Sequence, residues 1–229
     1  MSHLKTWINN AERIPEKFRA RWTETEVDKA REVLLSINSI FTRHGIPWCL
    51  ICGSLLGAVR HGGVIPWDDD IDITVHESLW PWLLGLAPWF HSAGLRIRQH
   101  EKDLTIVIQG QENFPFIDVF PWRASQDGKT IHSMGHKSRY YVDVPLKDWW
   151  PFCLVPFEGG LLPSPAHPEV FLNGKYPGWA TTVDAGAWDH RRDKPLPKDM
   201  RGTMPWEELQ RLVFASGGLT FSIMDTSTS

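Results

Sequence analysis

Long apolar runs are missing from this chain. The longest uncharged apolar stretch, Leu79 to Phe90, is twelve residues and is broken by Pro81 and Pro88, whereas a membrane-spanning helix needs about 20. The opening residues, MSHLKTWINNAERIPEKF, hold no apolar h-region, so a secretory signal is not expected and a cytoplasmic setting is. Cysteine is scarce. Three among 229 residues set up no disulfide framework. Cys49 and Cys52 form a C-x-x-C, but on a strand an offset of three puts the sulfurs on opposite faces, against shared metal or redox use. A basic surplus is also absent: 24 Lys and Arg stand against 27 Asp and Glu, a net of −3. Bulk charge therefore recruits neither nucleic acid nor anionic lipid, and any phosphate must meet a local site. Tryptophan is the one residue in excess, 13 in all, several-fold above the roughly 1–2% of ordinary soluble domains. Packing is the default use; stacking on a sugar or caging a quaternary ammonium is the alternative.

The length suits one well-cored domain, and the periodicities are those of an α+β fold, a mixed sheet flanked by helices. Thr23-x-x-Glu26 reads as a capping box. Behind it Val27, Ala30, Leu34, Ile37 and Phe41 recur at helical spacing as far as Gly45. A strand over 46–52 leads through Gly53-Ser54 into a short helix over 55–60. A strand over 70–75, a helix over 78–91, and three antiparallel strands over 95–100, 104–109 and 114–120 follow. Later signals are weaker: a strand over 140–144, a helix over 167–175 capped from Ser164-Pro165, an extended surface segment over 180–205, a last helix over 206–215 and a disordered tail at Thr226–Ser229.

The chemistry concentrates in GSLLGAVRHGGVIPWDDDIDI, residues 53–73. If residues 68–73 are extended, Asp68, Asp70 and Asp72 share one face, and Ile71 and Ile73 share the other. Carboxylates about 5 Å apart repel by roughly 3 kcal/mol at an effective dielectric near 20, so the cluster calls for a cation. An all-oxygen set suits Mg²⁺ or Mn²⁺ rather than zinc. A solvated acidic turn is the plainer reading, and the apolar opposite face fits it badly. Asp118, alone in Phe116-Ile117-Asp118-Val119-Phe120, needs a partner: a metal shared with Asp70 and Asp72, or backbone or Arg hydrogen bonds. Gly53-Ser54, between a strand and a helix start, offers free N–H groups and a hydroxyl to a phosphate. Trp67 beside the acids reads as a pocket wall. Arg60 and His61, just past the short helix, are candidates to meet a phosphate or an acceptor, or are plain surface. Lys137 and Arg139 are further phosphate candidates.

This order of Gly-Ser, Asp-x-Asp strand and later Asp resembles the nucleotidyltransferase fold, and the wording of residues 53–73 resembles the LicD family of phosphotransferases, which includes phosphorylcholine transferases and the fukutin-related proteins. Asp118-Val119-Phe120-Pro121 is similar to that family's Asp-hydrophobic-Phe-Pro. Val155-Pro156-Phe157-Glu158-Gly159 and Lys175-Tyr176-Pro177-Gly178-Trp179 resemble its later segments, with Pro177 inserted in the last. The resemblance covers roughly residues 24–180. It implies a lead-in at 1–22, a nucleotidyltransferase-like catalytic domain at 23–180 and an irregular C-terminal extension at 181–229. It also implies transfer of a phospho-alcohol, choline- or polyol-like, from a CDP-activated donor to a hydroxyl of a glycan or related acceptor. Asp70, Asp72 and Asp118 would hold the metal. Asp68 would join them as a catalytic residue, and Gly53, Ser54, Arg60, His61 and Trp67 would bind substrate. Nucleotidyl transfer to a small alcohol, glycosyl transfer from a nucleotide sugar, and a non-catalytic binding protein of the same fold are the rival readings.

Overall fold

The computed structural model describes residues 3–99, 104–133 and 142–214. Helix α1 spans His3–Asn9 and α2 spans Glu24–Arg43. The stretch between them buries Ile14, Phe18 and Trp22. Helix α2 starts where its capping box lies: the Thr23 hydroxyl accepts the Glu26 N–H at 3.2 Å, and the Glu26 carboxylate accepts the Thr23 N–H at 2.7 Å. Its buried stripe includes Val27, Ala30, Leu34, Ile37 and Phe41.

Strand β1, Trp48–Leu50, runs into α3, Cys52–His61, and then comes β2, Ile71–His76. Two short helices, α4 at Trp80–Gly85 and α5 at Ala87–Ser92, precede β3 at Leu95–Gln99, β4 at Leu104–Ile108 and β5 at Gln111–Ala124. These strands form a sheet in the order β1-β2-β5-β4-β3. It is extended past the far end of β5 by β6, Thr130–Ser133, and β7, Asp143–Pro145. The β2–β5 pair is parallel and the others are antiparallel, so the sheet is mixed. The rest of the described chain comprises α6 at Leu146–Trp149, the hairpin of β8, Cys153–Phe157, and β9, Gly160–Ser164, and α7 at Pro168–Lys175. Then come β10 at Thr182–Asp184, β11 at Trp188–Asp189, β12 at Lys194–Pro195, β13 at Thr203–Pro205 and α8 at Trp206–Phe214.

Several expectations need correction. The helix expected over 78–91 is broken at Leu86 into α4 and α5; Pro81 and Pro88 each sit in a helix's first turn, where a missing N–H does no harm. The strand expected over 46–52 shrinks to β1, because Cys52 adopts φ 50° and turns the chain directly into α3. Gly53 and Ser54 are therefore helix residues. The segment 180–205 is mostly exposed, as expected, but it is more ordered than an extended strap: β10 pairs with β13 and β11 with β12, and Val183, Ala185 and Leu196 are buried. Helix α7 is preceded by His167 with no side-chain cap, and Ser164 belongs to β9 instead. Lys137, Arg139 and Thr226–Ser229 lie outside the described residues, as does the start of the strand expected over 140–144.

One hydrophobic cluster runs from Leu4 to Val213. It takes in Trp7, Trp22, Trp48, Trp67, Trp122, Trp149, Trp179 and Trp206, so most of the tryptophan excess is packing. Cys49 and Cys52 are buried and form no disulfide, and burial raises the pKa of both thiols. No helix among the described residues is long and apolar enough to cross a membrane.

Candidate functional site

The parallel register of β2 and β5 puts Asp72 directly opposite Asp118. Their neighbours Ile71, Ile73, Ile117 and Val119 are fully buried on the other face of the sheet, the alternation expected of these strands. Asp68 and Asp70 are not on the strand: β2 begins at Ile71, and residues 68–70 form the loop that leads into it. Asp70 still reaches the pair from that loop. Oxygens of Asp70, Asp72 and Asp118 lie within 4.8 Å of one another.

Each strand acid is steadied by a neighbour. Thr105, opposite Asp118 on β4, donates its hydroxyl to Asp118 Oδ1 at 2.9 Å. Ser54 accepts the Asp72 backbone N–H at 2.9 Å, which ties the first turn of α3 to β2. Ile51 N–H adds a bond to the Asp72 carbonyl at 3.2 Å. The first turn of α3 packs directly against the acids: a Cβ at Gly53 would lie 2.5 Å from Asp68 Oδ2 and 4.0 Å from Asp72 Oδ2.

The acids open into a cleft of about 590 Å³. It is lined by Lys175, Tyr176 and Trp179, at and beyond the end of α7, by Trp67 and Arg60, and by Trp188 and His190. Burial, then the charges of Asp72, Asp68 and Asp118, push Asp70 well above the usual carboxyl range. Burial, then Asp118 and Asp68, raise Asp72 to about 8. Burial raises Asp68, with His190 pulling the other way. Asp69 behaves oppositely: burial pushes it up, but the His190 hydrogen bond and the Arg21 charge outweigh that and hold it down.

The two basic residues expected in the site part company. Both sit in the last turn of α3 and both are buried. Arg60 lines the cleft, but its Nη1 donates to the carbonyls of Trp179 and Thr182 at 3.2 and 3.5 Å, and its Nε donates to His61 at 3.1 Å. It fastens the C-terminal wall onto α3. His61 does not line the cleft. It lies against Trp7, Trp67 and Trp206 and borders a separate cavity of about 760 Å³ with His3, Arg31 and Glu158. Burial, Arg60 and His3 hold its pKa well below the ordinary value. Trp67 is a wall as expected, its Nε1 donating to the Asp184 carbonyl at 2.8 Å.

Sequence reasoning did not single out Arg21, Asp69, Thr105 or His190. Arg21 and His190 come from the two ends of the chain, where no periodicity announces them. The charge-dense run Asp189-His190-Arg191-Arg192-Asp193 was the available signal.

A helix start facing carboxylates on two adjacent parallel strands is the arrangement of a nucleotidyltransferase-type domain. The chain belongs to the LicD/FKTN/FKRP family: the family model described as LicD/FKTN/FKRP, nucleotidyltransferase domain, matches residues 45–167. Mouse ribitol 5-phosphate transferase FKRP is 38% identical over 170 residues, 69% of this chain and 33% of that protein. The lipopolysaccharide cholinephosphotransferase LicD of Haemophilus influenzae is 27% identical over 119 residues, 52% of this chain and 42% of that protein. The chain spans a third to about half the length of the curated relatives it matches. Among solved structures, the antibiotic-resistance factor ANT(2'')-Ia aligns over 82% of this chain and 85% of its own, at 15% identity and a TM-score of 0.42.

Proposed function

We propose that this chain transfers a phospho-alcohol, choline- or polyol-like, from a CDP-activated donor to a hydroxyl of a glycan or related acceptor, with release of CMP. One observation carries the reading: Asp70, Asp72 and Asp118 converge in a cleft where burial and mutual repulsion push Asp70 and Asp72 up. Such a cluster is stable as carboxylates only with a cation among them. The donor set is all oxygen, which fits Mg²⁺ or Mn²⁺, and these three residues would hold it. When bound, the ion supplies charge neutralisation at the donor pyrophosphate, which is most of what phosphoryl-type transfer requires.

The other residues then have distinct tasks. Backbone N–H groups in the first turn of α3, at Gly53 and Ser54, meet phosphate oxygens. Asp68 lies beside Gly53, outside the trio, and faces the cleft. Its raised pKa makes it a better base than an ordinary carboxylate, suited to orient the incoming hydroxyl and accept its proton. Trp67 lines the cleft, and Arg60 holds the C-terminal lining in place through Trp179 and Thr182. His61 has no part in this scheme.

The test is product analysis with CDP-choline and CDP-ribitol as donors and small polyols as acceptors. CMP is expected with Mg²⁺ and not with EDTA. Nucleoside diphosphate released from a nucleotide sugar would instead mark a glycosyltransferase, and pyrophosphate released from a nucleoside triphosphate would mark nucleotidyl transfer.

A further inference from the structure

Asp72 and Asp118 are fixed by strand register and by Ser54 and Thr105. Asp70 is not: it sits in the loop before β2. Its carboxylate is held by side chains instead, Asp68 being one hydrogen-bond neighbour. Its neighbour Asp69 has a side chain only 1% exposed, and it lies outside the trio. Asp69 Oδ2 pairs with Arg21 Nη1 at 3.0 Å, and its Oδ1 meets His190 Nδ1 at 2.8 Å. The other ring nitrogen, His190 Nε2, faces Asp70 Oδ2 at 3.4 Å. Three side chains from the N-terminal segment, the acidic loop and the C-terminal segment thus form a chain that ends on Asp70.

The far end is anchored. Arg21 Nη2 also pairs with Asp189 Oδ2 at 3.3 Å. Arg191 donates to Glu26 at 3.1 Å and to the Arg21 carbonyl at 2.8 Å, and its guanidinium sits 3.6 Å from the centre of the Phe114 ring. The turn carrying His190 is therefore clamped on both sides.

We infer that Asp69 and His190 are positioning residues: Asp69, braced by Arg21, fixes the His190 imidazole, and His190 Nε2 fixes one oxygen of Asp70 so that the other faces Asp72 and Asp118. A ring nitrogen held by one carboxylate orients the opposite nitrogen, and outer partners of metal ligands commonly set metal affinity. The inference rests on the proposed cation at Asp70, Asp72 and Asp118, and it goes beyond that reading by giving the two ends of the chain a role there.

The experiment is calorimetric titration of the full chain with Mn²⁺ at fixed pH, with a thermal melt of each variant to show that it is folded. His190→Ala and Asp69→Asn are each expected to weaken Mn²⁺ binding about tenfold. The double variant should be no weaker than either single one, because Asp69 acts through His190. His190→Ala is the safer variant, since that side chain is 37% exposed. Unchanged Mn²⁺ affinity in folded His190→Ala, losses that multiply in the double variant, or a wild-type chain that binds no Mn²⁺ would each overturn the inference. Mn²⁺ binding that responds as expected, in a chain that never releases CMP from CDP-alcohols, would defeat the proposed transfer and leave this relay standing.

Discussion

Asp72 sits where three constraints meet: it is buried, it lies opposite Asp118 in the sheet, and burial lifts it to about 8. In the unfolded chain it titrates near an ordinary carboxyl. Between about pH 4 and about pH 8 the folded, metal-free protein thus binds the proton more tightly than the unfolded chain does. Stability without metal should fall as pH rises through that window. Asp72→Asn removes the effect. In EDTA at pH 8 it should be more stable than wild type, on the order of 1–3 kcal/mol because neighbouring acids share the shift, and the gain should shrink towards pH 4. Urea unfolding at the two pH values checks this; a loss of several kcal/mol at pH 8 would make Asp72 a structural acid. Gly53 offers a companion test. The Cβ of Gly53→Ala would displace the Asp68 carboxylate, a side-chain end that can move. The variant should stay folded, with CMP formation reduced at least about tenfold if Asp68 handles the acceptor proton. Near-normal turnover would remove Asp68 from that task.

The junction of β1, α3 and β2 sets the start of α3 against the acids. Ser54 accepts the buried Asp72 N–H, so Ser54→Ala leaves that donor without a partner. It should destabilise the fold by about 1–3 kcal/mol, measured by urea unfolding; an unchanged midpoint would mean that the helix and strand are not coupled there. This junction was only partly legible in the sequence. Elements with local signals were readable: the Thr23–Glu26 capping box, the helical stripe of α2, and the alternation that puts Ile71 and Ile73 opposite the acids. The start of α3 was not, because a left-handed Cys52 carries no glycine to announce it. The split between α4 and α5 was blurred by two prolines that each suit a first turn. Asp72 and Asp118 were legible because acids amid apolar residues need a partner, and Asp70 because it lies two residues before Asp72 in the acidic run. The position of His61 against Trp7 and Trp206 is not legible in the sequence, because an Arg-His pair at a helix end looks the same whether it faces a cleft or an aromatic core.

At the scale of the whole molecule, the core does not respect the boundaries that motif resemblance suggests. Trp7 and Phe18 before residue 23, and Val183, Leu209 and Val213 after residue 180, are buried in the same cluster as the sheet. Arg21 and His190 reach Asp69 from those two flanks. A fragment of residues 23–180 should therefore lack a cooperative thermal transition; a sharp one would support those boundaries. In the proposed function, three acids from one loop and two strands form a cation site that engages a CDP-activated donor. This is tested most directly by melting the full chain with CDP-ribitol or CDP-choline, Mg²⁺, both or neither. Donor and metal together should stabilise wild type by about 2.7 kcal/mol when the donor is at about 100 times Kd, well beyond either alone, and Asp118→Asn should lose that gain while remaining folded. Equal stabilisation by the donor in EDTA, or a full gain in Asp118→Asn, would contradict it.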